Sequence, residues 1–309
     1  LGGPATATFA GHTLVARDGI LVTPALELEA VDSNAQGILD ATATVAPVTI
    51  KFTPQAAMAD LPALYPFLEG APGTPLFGAS DAPLVLVAAN GARLTFSAVA
   101  IAQMPDLSLS ATGAVAGAVT FVALGARELP ITAANRLVAI DTTEVPTFPA
   151  VAPQLTDDFE ITWGGAGSGG RSPWRNLRAR DGVRVRFAMK TKAVMSAANA
   201  LLDMTLESLT VTASFTPATP AGPTEADVVA ALQMQGELPG RLLSQGASAL
   251  TVAGEHLFFE MPLAQLTAGP MAFDAVRGRV GELVFTATRA VMSAEGALGG
   301  MAGLTEGKG

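Results

Sequence analysis

Ala16-Arg17-Asp18-Gly19-Ile20-Leu21-Val22 returns as Ala179-Arg180-Asp181-Gly182-Val183-Arg184-Val185, and this recurrence organises the whole chain. The offset of 163 residues holds without a gap as far as Phe52-Thr53-Pro54 and Phe215-Thr216-Pro217. Of the 39 aligned pairs, 18 are identical, far more than an alanine-rich composition gives by chance, so the chain reads as an internal duplication. Further on, Leu94-Thr95-Phe96 aligns with Leu257-Phe258-Phe259, and Gly117-Ala118-Val119-Thr120-Phe121 with Gly281-Glu282-Leu283-Val284-Phe285. Upstream, Thr8-Phe9-Ala10-Gly11 aligns with Thr162-Trp163-Gly164-Gly165 at an offset of 154, which leaves a nine-residue insertion in the glycine-rich stretch 164–172. Pro146, Pro149 and Pro153 stiffen 145–155 into a predicted linker. Two domains are therefore expected, copy 1 over 1–150 and copy 2 over 151–309.

Each copy is expected to be mainly β. The stretch 183–190, Val-Arg-Val-Arg-Phe-Ala-Met-Lys, alternates apolar and polar with period 2, the pattern of a half-buried strand. The stretch 209–215 alternates too, with Thr210, Thr212 and Ser214 between apolar positions. Asn90-Gly91 between 83–88 and 93–98 predicts a tight hairpin. One short flanking helix per copy is expected. In copy 2, Thr224 caps a run with Val228, Val229, Leu232 and Met234. In copy 1 the matching run 56–67 carries Pro62 and Pro66, so its helix is shorter or broken. Strands plus one helix per repeat predict two tandem β-sandwich or open-barrel domains, each with a short flanking α-helix.

Composition narrows the function. Charged residues make up 15% of the 309, against about 25% in an average soluble domain. Half the residues are apolar and the mean hydropathy is +0.41, which points to surface covered by partners and argues against disorder. The net charge is −9, with residues 1–150 at −7 (5 basic, 12 acidic) and 151–309 at −2 (13 basic, 15 acidic). That balance opposes a phosphate-backbone binder. Cysteine is absent, so a disulfide framework, a cysteine metal site and a thiol nucleophile are excluded. The longest weakly polar run, 113–126, has 14 residues, and a membrane helix needs about 20. The opening Leu1-Gly2-Gly3-Pro4 has neither a basic n-region nor an apolar h-region, so no signal peptide is expected there.

Catalytic and metal patterns are weak. His12 and His256 are the only histidines, and Glu255 is the sole acidic sequence neighbour of His256, which reads as a solvated turn residue. Asp32-Ser33-Asn34-Ala35-Gln36-Gly37-Ile38 mimics the start of a calcium loop, but its twelfth position, Ala43, lacks the required bidentate Glu, and 34–37 reads as a loop tip. The glycines of 164–170 resemble a phosphate loop but lack its Lys, and Pro173-Trp174 follows where a helix should begin; a surface loop is expected. Asp157-Asp158-Phe159-Glu160 reads as a solvated strand edge. Aromatics are 6% of the chain, too few for a base- or sugar-stacking platform. The expectation is a protein that is not an enzyme, with no catalytic residue, metal or cofactor.

One charge pattern stands out. Glu27 and Glu29 lie on the polar face of the first long strand of copy 1, and the aligned positions in copy 2 are Lys190 and Lys192. If equivalent strands of different copies meet, unlike copies attract and like copies repel, which enforces alternating order around a ring. Exposed pairs of this kind contribute only about 0–1 kcal/mol each, so order is the gain rather than affinity. The other reading is that these are ordinary solvated strand charges that drifted apart.

The order of several stretches resembles the tail tube (major tail) proteins of long-tailed bacteriophages in their duplicated form. In copy 1 these are Val48-Thr49-Ile50-Lys51-Phe52-Thr53-Pro54, the region 61–67, Pro75-Leu76-Phe77-Gly78, Asp81-Ala82-Pro83-Leu84-Val85-Leu86, the Asn90-Gly91 hairpin and Gln103-Met104-Pro105-Asp106-Leu107. In copy 2 they are Ser172-Pro173-Trp174, Ala179-Arg180-Asp181-Gly182 and Leu202-Asp203-Met204-Thr205. The resemblance covers about residues 10–295, and neither the glycine-rich insertion nor the tail 296–309 matches it. It implies a structural virion protein of the phage tail, assembled in the host cytoplasm. Homotrimeric rings would be pseudo-hexameric and would stack around an inner β-barrel whose lumen conducts genomic DNA without specific binding. The implied partners are further copies of the chain and other tail proteins (tape measure, tail terminator, baseplate or distal tail), with no membrane. Period 2 defines two strand faces but leaves the lumen-lining one unknown. Two alternatives remain open: a tail-completion or baseplate ring protein of the same fold, and a non-phage tandem β-domain surface adhesin or binding module.

Overall fold

The structure, a computed structural model, describes residues 3–16, 18–24, 26–33, 37–45, 47–55, 58–77, 82–110, 113–123, 138–141, 148, 159–164, 174–195, 201–218, 248–254, 257–269, 271–273 and 278–294. It is mainly β, with two large sheets, one curled into a half-barrel. The first half of the chain supplies β1 (Ala5–Phe9), β2 (His12–Ala16), β3 (Leu21–Thr23), β4 (Leu26–Ser33), β5 (Gly37–Val45), β6 (Val48–Phe52) and β7 (Pro54–Gln55). A 3-10 helix (Met58–Leu64) follows, then β8 (Ala82–Ala88), β9 (Arg93–Gln103), β10 (Leu107–Ser110), β11 (Gly113–Ala116), β12 (Val119–Ala123) and β13 (Val138–Asp141). The second half supplies β14 (Glu160–Trp163), β15 (Trp174–Leu177), β16 (Val183–Met195), β17 (Leu201–Phe215), β18 (Ser248–Ala253), β19 (Leu257–Ala268), β20 (Met271–Phe273), β21 (Gly278–Val280), β22 (Leu283–Ala287) and β23 (Val291–Ala294).

The first sheet runs β3-β6-β12-β9-β8-β1-β2-β7, with β13 also paired to β9. The second runs β11-β10-β16-β17-β22-β19-β18-β14-β15, with β23 also paired to β19. From β3 in the first order and β16 in the second, the repeated stretches of sequence occupy matching places. In the first sheet, β6 lies between β3 and β12, whereas β7, which follows it after Thr53, is the last strand at the far end of the order, paired with β2. The bridge Ala179↔Pro217 stands at the aligned positions of the second sheet. Alternation sets the buried face. Val183, Val185 and Phe187 are buried while Arg184, Arg186 and Lys190 are exposed.

One difference between the halves traces to two prolines. The second half has an unbroken long hairpin, β16 on β17, in which Phe187 pairs with Val211 and Ala188 with Thr210. The first half has Pro24 and Pro47 at the aligned positions of Phe187 and Thr210. Proline has no N–H to give to a ladder. There the hairpin is divided into β3 on β6 below the prolines and β4 on β5 above them. The register shift near each tip still falls at aligned positions, between Val31 and Asp32 and between Val194 and Met195.

The core repeats as well. Phe52 stacks on Phe121 with ring centroids 5.8 Å apart and planes at 12°, and Phe215 stacks on Phe285 at 5.9 Å and 7°. Phe9 meets the edge of Phe121 at 4.9 Å, and Trp163 meets Phe285 at 5.3 Å. Such aromatic contacts add about 0.5–1.5 kcal/mol each beyond the area they bury. Trp163 also donates from Nε1 to the Ala264 carbonyl at 3.2 Å. The buried side chains of both sheets form one contiguous cluster.

The Asn90-Gly91 hairpin is present. Ala88 N–H donates to the Ala92 carbonyl at 2.9 Å, the Asn90 side-chain oxygen accepts from Ala92 N–H at 3.1 Å, and Gly91 has φ +84°. The predicted flanking helix of the first half is a 3-10 helix rather than an α-helix. Pro62 inside it removes a backbone donor, and the Tyr65 N–H donates to the Pro62 carbonyl at 3.0 Å, in the tighter i to i+3 pattern. The predicted helix at 224–234, the linker 145–155 (apart from Phe148) and the glycine-rich insertion beyond Gly164 lie outside the described residues.

Candidate assembly interface

The two sheets are joined by strand addition. After Gln103, the chain leaves β9 through Met104-Pro105-Asp106 and enters β10, which pairs with β16 of the other sheet: Leu107 with Val185, Ser108 with Arg184 and Leu109 with Val183. β11 folds back on β10 as the outer strand. Leu107 and Leu109 are buried, Ser108 is exposed, and Val183 and Val185 are buried opposite them. Two glycines permit the close approach. Gly182 has φ +89°, and a Cβ there would lie 2.2 Å from the Leu109 carbonyl oxygen. Gly117 donates its N–H to the Asp106 carbonyl at 2.6 Å, and a Cβ there would meet that oxygen at 3.3 Å.

Polar groups around the crossing tie it down. Phe187 N–H donates to Asp106 Oδ1 at 3.4 Å, Met104 N–H points at Met189 Sδ at 3.4 Å, and Gln103 Nε2 donates to the Phe187 carbonyl. Tyr65 packs on Phe187 with centroids 5.1 Å apart. Burial pushes the Tyr65 phenol well above its ordinary pKa, and the Asp106 carboxylate adds to the effect, so Tyr65 stays neutral and acts as packing.

A second band of contacts uses residues 68–77. Gly73 N–H donates to the Leu206 carbonyl at 2.7 Å, Leu206 N–H to the Thr74 carbonyl at 2.9 Å, and Ala290 N–H to the Leu68 carbonyl at 2.7 Å. Pro75 bridges Thr205, and Asp203 Oδ1 accepts from Phe77 N–H at 3.3 Å and from Met204 N–H at 2.6 Å. At Gly70, φ is +64° and a Cβ would lie 2.2 Å from the Thr288 carbonyl oxygen. The sequence marks Pro75-Leu76-Phe77 and Leu202-Asp203-Met204-Thr205 separately; that they lie against one another is visible only in three dimensions.

Among the described residues, β3 and β7 end the first sheet and β11 and β15 the second. On β3, Leu21 is 62% exposed. A cleft of about 400 Å³ lies beside it, lined by Asp18, Gly19, Ile20, Leu21, Lys51 and Phe52. Among the described residues, β20 and β21 pair only with each other.

The residues singled out for charge order fall on the long hairpins. Glu27 and Glu29 lie on β4, opposite Thr44 and Thr42 of β5. Lys190 and Lys192 lie on β16, opposite Ser208 and Thr205, and both are exposed. The single chain therefore places the two pairs on different hairpins and does not pair them across one ladder. His12 Nδ1 lies 2.7 Å from Asp60 Oδ1, which ties β2 to the 3-10 helix. His256, Asp157 and Asp158 lie outside the described residues, and Glu160 is exposed at the start of β14. Among the described residues no cluster of three or more His, Asp or Glu side chains is placed to hold a metal ion, and no helix is long and apolar enough to cross a membrane. A scan of protein-family models gives no match to this chain, and a search of curated proteins gives none either.

Proposed function

We propose that this chain is a ring-forming structural protein of the phage tail, two tandem β domains that assemble as stacked trimeric, pseudo-hexameric rings into a tube that conducts DNA. The observation that carries the reading is the junction of β10 with β16: one half of a duplicated chain adds a strand to the edge of the other half's sheet. Such a contact is head-to-tail. Repeated from chain to chain, it generates a closed ring or an open filament rather than a closed pair. Three duplicated chains supply six similar units to one ring, the number that the resemblance to tail tube proteins implies. A ring also covers the sheet edge that a single chain leaves open at β3.

Composition supports the same reading. Charge is sparse, at 15% of residues, as expected of a subunit covered on several sides, and the net charge of −9 repels a polyanion passing through a lumen. Glu27 and Glu29 against Lys190 and Lys192 would favour alternation of unlike halves around the ring.

Negative-stain electron microscopy at rising protein concentration tests this. Hollow tubes, or threefold rings with a hole as wide as duplex DNA, are expected. Single rings that never stack would assign the chain to tail completion or a baseplate. Single chains at every concentration would overturn ring formation and favour a binding module.

A further inference from the structure

Resting on the ring reading, we infer that β20–β21 of one chain adds to the β3 edge of the next chain, in the register that β10–β11 uses on β16 within the chain. The two hairpins correspond residue by residue. Leu107 pairs with Ala116, Ser108 with Val115 and Leu109 with Ala114 in the first; Met271 pairs with Val280, Ala272 with Arg279 and Phe273 with Gly278 in the second. A single offset of 164 relates all six positions. The edges correspond too, since Arg184 and Val185 align with Leu21 and Val22. Transferring the in-chain register puts Met271 opposite Val22 and Ala272 opposite Leu21.

The receiving edge has the features that a docked strand needs. At β16 the hairpin lies against Gly182, φ +89°, with Leu109. The aligned Gly19 also has positive φ, +85°, and it lines the open cleft beside β3. The place that β10 fills on the second sheet is thus a cleft on the first. Leu21, exposed on a terminal strand, is an apolar edge position of the kind that proteins cover or blunt.

The aligned edge of the second half, β16, is already covered by β10 of the same chain, whereas β3 is terminal. The second hairpin has Arg277 and Arg279 where the first has Gly113 and Val115. On the first-half edge the residues aligned with Arg184 and Arg186 are the neutral Leu21 and Thr23, with Glu27 and Glu29 further along the same segment. This docking joins a second-half hairpin to a first-half edge.

The chain has no cysteine, so paired cysteines report the contact directly. Directly opposite residues in an antiparallel pair have Cα atoms about 4.5–5.5 Å apart, within disulfide range. Leu21→Cys with Ala272→Cys in one chain is oxidised after assembly and run on a denaturing gel; Ser108→Cys with Arg184→Cys is the control that closes within the chain. The expected result is a covalent three-chain species from the first variant. Mixing chains that carry only one of the two substitutions is expected to give two-chain species containing one of each. Val22→Cys with Met271→Cys repeats the test should the first variant not fold. Rings by microscopy whose chains stay unlinked, while the control closes, would overturn this interface and leave the ring reading standing. Linked pairs from Leu21→Cys alone, or closure of Leu21→Cys/Ala272→Cys within one chain, would also overturn it. Single chains at every concentration would remove the ring reading and the interface together.

Discussion

Gly182→Ala and Gly19→Ala are the same change at aligned positions, and the structure separates their consequences. Both glycines have positive φ, +89° and +85°, so alanine at either carries a backbone strain of about 1–2 kcal/mol. At Gly182 the new Cβ would also lie 2.2 Å from the Leu109 carbonyl oxygen, a distance that backbone cannot tolerate. β10 would have to move off β16. That forfeits ladder hydrogen bonds worth about 1 kcal/mol each and part of the Leu109 burial, itself worth roughly 1.5–3 kcal/mol. Gly182→Ala should therefore lose about 2–4 kcal/mol more than Gly19→Ala when dispersed chains are unfolded in urea. Assembly should rank the other way relative to stability: Gly19→Ala chains fold but fail to form rings, because the hairpin of the next chain meets the new Cβ. Equal stability losses for the two variants would refute the claim that close approach at Gly182 holds the hairpin. Normal rings from Gly19→Ala would refute the equivalence of the two edges.

Two further outcomes are expected. Glu27→Lys with Glu29→Lys should impair ring assembly more than folding, and adding Lys190→Glu with Lys192→Glu should restore it; at about 0–1 kcal/mol per exposed pair the effect should fade as salt is raised, and normal tubes from the first double variant would end the charge-order idea. Phe121→Ala and Phe285→Ala should each destabilise the dispersed chain by about 3–5 kcal/mol, and by similar amounts, because each ring stacks on one phenylalanine and meets the edge of a second aromatic ring; clearly unequal denaturation midpoints at unchanged slope would show that the two cores are not equivalent.

The strands were legible because their signals are local. Val183, Val185 and Phe187 alternate with Arg184, Arg186 and Ala188, and the structure buries the first set and exposes the second. Asn90-Gly91 marks its turn because glycine accepts the positive φ found there. The prolines in 56–67 oppose a regular α-helix, and Met58–Leu64 folds as a 3-10 helix, since i to i+3 bonding tolerates Pro62. The division of the first long hairpin is not legible in Pro24 and Pro47 alone, because each proline matters only once the two strands are known to lie side by side.

Sequence alone determined the duplication, the β character and the sparse, acid-leaning charge, because repeats, period 2 and composition are properties of neighbouring or aligned residues. Tertiary structure alone decided that Leu107–Ser110 leaves its own sheet for β16, and that Thr74 and Pro75 run beside Thr205 and Leu206. The physical reason is that strand addition is made by backbone N–H and C=O groups, which nearly every residue carries alike. No side-chain pattern names the partner edge. It is chosen by where the chain can reach and by where a glycine such as Gly182 leaves room.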